Sequence, residues 1–188
     1  MSLLGADMDR VRPGRRRFLG FAAAAAVAGM AFPAAAARRL LRPRAVSLHN
    51  LHTGEALNTV YWADGGYVPD AVQRIEWLLR DHRTDEVHAV DPQLLDLLVD
   101  LQARLHTHAP FEILSGYRSP QTNALLAATT DGVAQNSLHL DGKAVDIRVP
   151  GRGLHHVRTA AVALRAGGVG YYPHSDFVHI DTGRIRYW

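Results

Sequence analysis

Residues 137–149, SLHLDGKAVDIRV, combine a polar turn with a strand pattern. In KAVDIRV, Ala144, Asp146 and Arg148 alternate with aliphatic residues, which predicts a strand with two different faces. Gly142 lies just before this strand and permits a tight turn. A carboxylate in an apolar strand costs several kcal/mol to bury unless it pairs with a cation or binds a metal. The stretch therefore raises the question of what Asp146 binds.

A second informative strand is predicted at FVHID, residues 177–181. Alternation places Phe177, His179 and Asp181 on one face, while the two aliphatic residues between them anchor the other face in the core. Asp176 precedes the strand directly. His179 should therefore face a cleft in a fixed direction.

Three side chains from these stretches form a candidate metal site: His139, Asp146 and His179. Two imidazole nitrogens and one carboxylate oxygen leave a fourth position open for water, as in catalytic zinc sites. The alternative is that Asp146 pairs with an arginine and that the histidines are ordinary surface or core residues. The sequence contains neither HExxH nor GxSxG, so two common hydrolase motifs lend no support.

The rest of the chain alternates irregularly between short strands and helices. Without βαβ regularity, the pattern predicts an α+β fold with a small antiparallel β-sheet and flanking helices. Further strands are predicted at 45–51, 56–62, 111–114, 168–172 and 184–188, and helices after 70 and at 92–105, 120–128 and 154–166. Asp70, Asp91 and Ser119 are the predicted helix caps. The leucines of residues 94–105 are predicted to be core.

Residues 1–37 have the features of an export signal. Arg15 and Arg16 precede Phe18 and an apolar, alanine-rich run, as in twin-arginine signals. An uncleaved membrane anchor is the alternative, but the run is shorter than the ~20 residues of a spanning helix. The sequence thus predicts a signal peptide at 1–37, a linker at 38–44, one folded domain at 45–188, and no stable membrane span after cleavage.

Composition excludes several classes of function. Residues 38–188 carry 16 basic and 16 acidic residues, because five arginines and two aspartates lie in residues 1–37. The basic character of the whole chain therefore does not indicate nucleic acid as a partner. Cysteine is absent, which excludes disulfides, thiolate ligands and a cysteine nucleophile.

Three motifs together resemble those of the D-Ala-D-Ala zinc peptidase family. S-x-H-x-x-G-x-A-x-D is complete in residues 137–146, D-x-x-H is complete in 176–179, and SGYRS occupies 115–119. This family shares a core fold with lysostaphin-type peptidases and the hedgehog domain. More narrowly, the chain resembles the YcbK-like murein endopeptidases over residues 45–188.

The resemblance implies roles for individual residues. It makes His139, Asp146 and His179 the ligands of Zn²⁺, Asp176 the general base and Arg118 the contact to the substrate carbonyl. Many relatives have glutamate at the position of Asp176, so Asp181 is a reserve candidate for the base or for a partner of a ligand. For Asp181 itself, a surface carboxylate with satisfied hydrogen bonds is the favoured interpretation.

The resemblance implies hydrolysis of peptide crosslinks in peptidoglycan, which an exported enzyme would encounter and whose stem peptides would be the binding partners. Carboxypeptidase trimming of stem peptides is a near alternative, and a non-catalytic, zinc-containing regulator that binds murein is another. A third alternative is an iron site formed by His139, Asp141 and His179 in the facial-triad pattern. The sequence leaves the choice of crosslink bond and the oligomeric state open.

Overall fold

The structure is a computed structural model that describes residues 42–130 and 134–188. The predicted export signal at 1–37 and the first part of the predicted linker lie outside the described residues. The strands are β1 Arg44–Asn50, β2 Ala56–Ala63, β3 Gly66–Tyr67, β4 Phe111–Ser115, β5 Ala144–Arg148, β6 Gly168–Tyr172, β7 Phe177–Asp181 and β8 Arg186–Tyr187. The first strand thus begins one residue before the predicted domain boundary.

The helices of the described residues are α1 Pro69–Leu78, α2 Pro92–Arg104, α3 Pro120–Thr129 and α4 Leu154–Leu164. A short 3₁₀ helix, Leu138–Asp141, occupies a segment that the sequence pattern predicts as loop. Within residues 42–130 and 134–188, none of these helices combines the length and the apolar content that crossing a membrane would require.

The predicted α+β class is confirmed, but the prediction of a small antiparallel sheet is wrong. All eight strands of the described residues form one sheet in the order β3-β2-β1-β4-β5-β7-β6-β8. The β1–β4 and β6–β8 pairs are parallel, so the sheet is mixed. Two helices separate β3 from β4 and allow the chain to re-enter the sheet parallel to β1. Two successive reversals at β7 and β8 make the second parallel pair.

Capping side chains mark the start of α2 and α3. The Asp91 carboxylate accepts a hydrogen bond from Gln93 N at 3.0 Å, and Ser119 Oγ accepts one from Thr122 N at 3.2 Å. The predicted cap at Asp70 is wrong, because α1 begins at Pro69. Proline at the first helical position fixes φ, and the helix begins two residues earlier than predicted. Asp70 lies in the first turn, where its charge favours the helix N-terminus.

The sheet has one face covered by helices and one that carries polar groups. The predicted leucines of α2 and its C-terminal turn are buried, which confirms their core assignment: Leu94, Leu95, Leu97, Leu98, Leu101 and Leu105. Val145, Ile147, Val178 and Ile180 join the same core from the middle of the sheet. Alternation along β5 and β7 therefore turns their other side chains, including Asp146 and His179, toward the opposite face.

Candidate metal centre

Two of the three predicted ligands lie side by side at the centre of the sheet. β5 and β7 pair antiparallel, and Asp146 and His179 are direct register partners. Side chains of opposite residues in an antiparallel pair lie on the same face, about 5 Å apart at Cβ. The register therefore brings a carboxylate and an imidazole together without any loop.

His139 reaches the same place from the 3₁₀ helix. Gly142 ends this helix in the left-handed region, with φ 64°. A Cβ at Gly142 would lie 2.1 Å from the carbonyl oxygen of Ala89, so the position accepts only glycine. The tight turn folds the 3₁₀ helix back beside β5, and His139 is 1% exposed.

The three side chains converge on one point. His139 Nε2 lies 3.2 Å from Asp146 Oδ1 and 3.2 Å from His179 Nδ1. His179 Nδ1 lies 2.9 Å from the same Asp146 oxygen. Each residue thus offers one donor atom to a common centre, and all three residues are buried.

The outer nitrogen of each histidine is held by a hydrogen-bond acceptor. His139 Nδ1 is 2.6 Å from the carbonyl oxygen of Gly116, and His179 Nε2 is 3.0 Å from Asp181 Oδ2. Because a carbonyl and an ionised carboxylate only accept, the outer nitrogens carry the hydrogens. Neutral rings then direct two lone pairs at the Asp146 oxygen, an arrangement that a shared cation stabilises.

Burial and charge set the protonation of the cluster. Burial alone would raise the pKa of Asp146, but the adjacent histidines outweigh it and hold the pKa below its usual value. Burial lowers the pKa of His139. Burial also acts to lower the pKa of His179, but hydrogen bonds to Asp146 and Asp181 outweigh it and raise the pKa. A second proton on His179 would occupy Nδ1, so protonation of His179 competes with the binding of a cation at that nitrogen.

Arg118 lies at the edge of this cluster. Its Nη2 contacts Asp146 Oδ2, and its Nε donates to Ser115 Oγ at 2.8 Å. The alternative that Arg118 pairs with Asp146 thus describes a contact that is present. Asp81 fixes the same loop, because its Oδ2 accepts from Ser119 N at 2.9 Å and from Ser119 Oγ at 2.7 Å.

Asp181 is buried, so its interpretation as a surface carboxylate is wrong. Its side chain is 0% exposed and accepts hydrogen bonds from the backbone N–H groups of Gly168 and Gly183 at 3.0 and 2.8 Å. Arg186 adds a salt bridge at 2.8 Å. Burial acts to raise the pKa of Asp181, but the bonds to His179 and Arg186 outweigh it and lower the pKa. Asp181 therefore orients His179 as an ionised carboxylate.

The structure does not bring Asp176 or Asp141 into the cluster. Asp176 precedes β7 with φ 53°, its side chain is 64% exposed, and Arg148 Nε lies 3.1 Å from its Oδ2. Asp141 is exposed at the end of the 3₁₀ helix. The facial triad with Asp141 is therefore not assembled, whereas the set with Asp146 is.

An open cleft of about 340 Å³ leads to the three donor atoms. Arg118, Asn136 and Ser137 line this cleft together with three aromatic residues: Tyr172, Phe177 and Trp188. Sequence analysis does not place Trp188 in the site. The sequence offers only an indirect sign of this contact: Gly170, between Val169 and Tyr171, leaves room on β6 for a large ring from elsewhere in the chain.

A His-Asp-His donor set at the floor of a cleft, oriented by outer hydrogen bonds, is the arrangement of a candidate metal-dependent hydrolase. Comparison with known proteins narrows this class. The family described as peptidoglycan L,D-endopeptidase MepK matches residues 38–188, so the chain belongs to that family. The resemblance to YcbK-like murein endopeptidases is thereby confirmed.

Individual relatives are similar over most of their length. The chain is 42% identical over 184 residues to "Peptidoglycan L,D-endopeptidase MepK" of Escherichia coli (strain K12), which covers 96% of this chain and 100% of the relative. The protein of that name in Shigella flexneri matches to the same extent. "Probable peptidoglycan L,D-endopeptidase MepK" of Haemophilus influenzae is 42% identical over 148 residues, covering 78% of this chain and 80% of the relative.

Proposed function

We propose that this protein is a zinc-dependent peptidoglycan endopeptidase that hydrolyses peptide crosslinks, with the L,D bond type named for its relatives. The observation that carries the proposal is the convergence of His139, Asp146 and His179 at the floor of an open cleft. Membership of a family described as peptidoglycan L,D-endopeptidase supports the choice of substrate.

The donor set fits zinc. Two neutral imidazoles and one carboxylate are a common ligand set of catalytic Zn²⁺, with ligand distances of about 2.0–2.2 Å. Tetrahedral ligands at such distances lie roughly 3.3 Å from one another, and the donor atoms here are 2.9–3.2 Å apart. His139, Asp146 and His179 would therefore hold the ion.

Zn²⁺ in this position would supply a Lewis acid that polarises a carbonyl and lowers the pKa of water to about 7. Arg118 would stabilise negative charge on the carbonyl oxygen of the scissile bond. Its Nη2 and Nε contact Asp146 and Ser115, while the guanidinium also lines the cleft. Loss of a comparable donor typically lowers kcat by about 100-fold or more.

Asp176 would act as the general base. The two residues that flank it, Ser175 and Phe177, both line the cleft, so Asp176 lies beside the rim. Its carboxylate is 64% exposed and therefore open to solvent, and its contact with Arg148 leaves it at the surface. Asp181 is less suited to this role, because several donors already occupy its oxygens.

We also propose that the protein is exported to the periplasm or cell envelope by the twin-arginine route. Arg15 and Arg16 with the apolar run after them support this route. Peptidoglycan stem peptides and crosslinks would be the partners there. Unchanged export after replacement of both arginines by lysine would contradict this route.

Mass analysis of muropeptides tests the reaction. Purified protein is incubated with sacculi, with and without a chelator and with zinc restored. We expect crosslinked dimers to become monomers in a zinc-dependent manner, and the masses identify the bond that is cut. Release of a single terminal residue would instead show a carboxypeptidase. Binding to sacculi without any product at several zinc loadings would show a non-catalytic murein-binding protein.

A further inference from the structure

Three aromatic side chains form a wall beside the candidate metal centre. Tyr172 at the end of β6 and Phe177 at the start of β7 stack with ring centroids 4.5 Å apart and an interplanar angle of 18°. The Trp188 ring lies 5.3 Å from the His179 ring. We call Tyr172, Phe177 and Trp188 the aromatic wall; all three line the cleft.

The backbone fixes the position of Trp188. Trp188 N donates to Val169 O at 3.2 Å, and Tyr171 N donates to Trp188 O at 3.0 Å. The indole rests on Gly170, where a Cβ would lie 2.7 Å from the ring atom Cε2. Gly170 is the register partner of the ligand His179. Because Gly170 has no side chain, the indole can approach β6, the strand that pairs with β7.

Part of this well-held residue is nevertheless open to solvent. Trp188 remains 44% exposed. Its backbone hydrogen bonds and its contact with Gly170 restrain it, and the Arg186 guanidinium lies 4.9 Å from the centre of its ring. Tryptophan offers a large apolar surface with few rotatable bonds, which suits a preformed binding surface. The exposed part of the ring is thus positioned before any ligand arrives.

The hydroxyl group of Tyr172 is the hydrogen-bond donor of the aromatic wall that remains available to a ligand. Trp188 Nε1 lies 2.8 Å from Tyr172 Oη, and an indole N–H only donates, so the tyrosine oxygen accepts this bond. The hydroxyl hydrogen of Tyr172 then needs another acceptor. Among residues 42–130 and 134–188, no side chain or carbonyl accepts it, and the residue borders the cleft.

We propose that Trp188 and Tyr172 form a substrate subsite next to the metal centre. The exposed indole packs against the aliphatic part of the crosslinking side chain, and Tyr172 O–H donates to a carbonyl oxygen of the stem peptide. Arg118, Asn136 and Ser137 line the same cleft, so the subsite would hold the peptide beside the three donor atoms. This inference rests on the proposed peptidase function.

Conservative variants test the subsite with a soluble crosslinked muropeptide as substrate. Tyr172→Phe keeps the ring stack and removes only the hydroxyl. Trp188→Phe keeps a ring over Gly170 and removes the indole N–H. We expect Tyr172→Phe to raise KM by about 3- to 10-fold, the net effect of one hydrogen bond. Trp188→Phe should raise KM by a similar factor because it loses part of the apolar contact surface, and kcat should change less than twofold in both. Tyr187→Phe is the matched control, because its hydroxyl lies 3.4 Å from Val162 O, and its KM should not change.

A binding measurement separates this role from a structural one. Titration calorimetry with the monomeric product should show the same 3- to 10-fold weakening in both variants, at unchanged zinc content and unchanged thermal midpoint. Wild-type KM and product affinity in both variants would overturn the subsite while leaving the peptidase function intact. Failure of the wild-type protein to cleave the muropeptide would instead refute the peptidase function on which the subsite depends.

Discussion

The two ends of strand β7 carry aspartates in opposite environments. Asp176 is 64% exposed and pairs with Arg148, whereas Asp181 is fully buried and receives bonds from two backbone amides, Arg186 and His179. A carboxylate with saturated oxygens can orient a histidine, while an exposed one can exchange protons. The comparison suits Asp181 to positioning His179 and is consistent with our proposal that Asp176 transfers protons.

The largest effect is expected from the residue that contacts both histidines. Asp146→Ala removes the oxygen that lies next to both His139 and His179, and with it one of the three proposed donor atoms and the negative charge that favours a cation. We expect zinc affinity to fall by more than about 100-fold, because loss of a residue that only hydrogen-bonds to a ligand already lowers affinity by about 10- to 100-fold. Crosslink hydrolysis should be lost. Metal analysis and muropeptide digestion measure both. Asp141→Ala, at an exposed position, is the control and should retain both.

Asp176→Asn tests the proton-transfer end of β7. General-base catalysis contributes about 100-fold or more, so kcat should fall by at least that factor. Because Asp176 is exposed, zinc content should be unchanged and the free energy of unfolding should stay within about 0.5 kcal/mol. A wild-type kcat in this variant would remove Asp176 from the mechanism.

Asp181→Asn tests the positioning end of the strand. We expect zinc affinity to drop about 10- to 100-fold, because His179 loses the charged partner of its outer nitrogen. Loss of the charge-assisted bonds to Arg186 and the backbone should also lower the free energy of unfolding by about 2–3 kcal/mol. Competition with a zinc chelator and urea unfolding measure the two changes. If Asp181→Asn and Asp176→Asn behaved alike, the contrast between the two ends would be lost.

Asp81 extends the comparison to a buried aspartate outside β7. Burial acts to raise its pKa, but hydrogen bonds from Thr122, Ser119 and Arg83 outweigh this and lower the pKa from 3.8 to about 2. A depressed pKa adds stability above the unfolded value, and that stability is lost as pH falls through about 2. Asp81→Asn should therefore lower the free energy of unfolding by about 1–2 kcal/mol at pH 7.

The same variant should also respond less to acid. Urea unfolding between about pH 5 and pH 2 should show a smaller loss of stability in Asp81→Asn than in the wild type, because the asparagine cannot be protonated in that range. Equal slopes for the two proteins would show that Asp81 does not couple protonation to folding.

Local patterns in the sequence predict the parts of the site but not their assembly. Alternation in KAVDIRV and FVHID correctly identifies the two strands and the faces of Asp146 and His179. Their direct pairing depends on register between segments more than 30 residues apart, which no local pattern encodes. The same limit explains the error over the sheet, because parallel β1–β4 pairing arises from the path of the intervening helices.

Burial of polar groups was the other property that local patterns could not supply. Alternation places Asp181 on the same face as His179, yet it cannot show that Gly168, Gly183 and Arg186 surround its carboxylate. The position of Trp188 in the cleft cannot be predicted from local patterns for a related reason. Its ring rests on Gly170 of β6, and that contact requires knowledge of which strands are neighbours.

The central position of β5 and β7 has a consequence for exchange kinetics. Both strands are hydrogen-bonded on both edges, so their amides should exchange with deuterated water only during extensive unfolding. Local opening of the 3₁₀ helix would release His139 alone, and an ion would keep two of its three protein ligands. Loss of an ion should therefore begin with local opening of the 3₁₀ helix and should not require β5 or β7 to unfold.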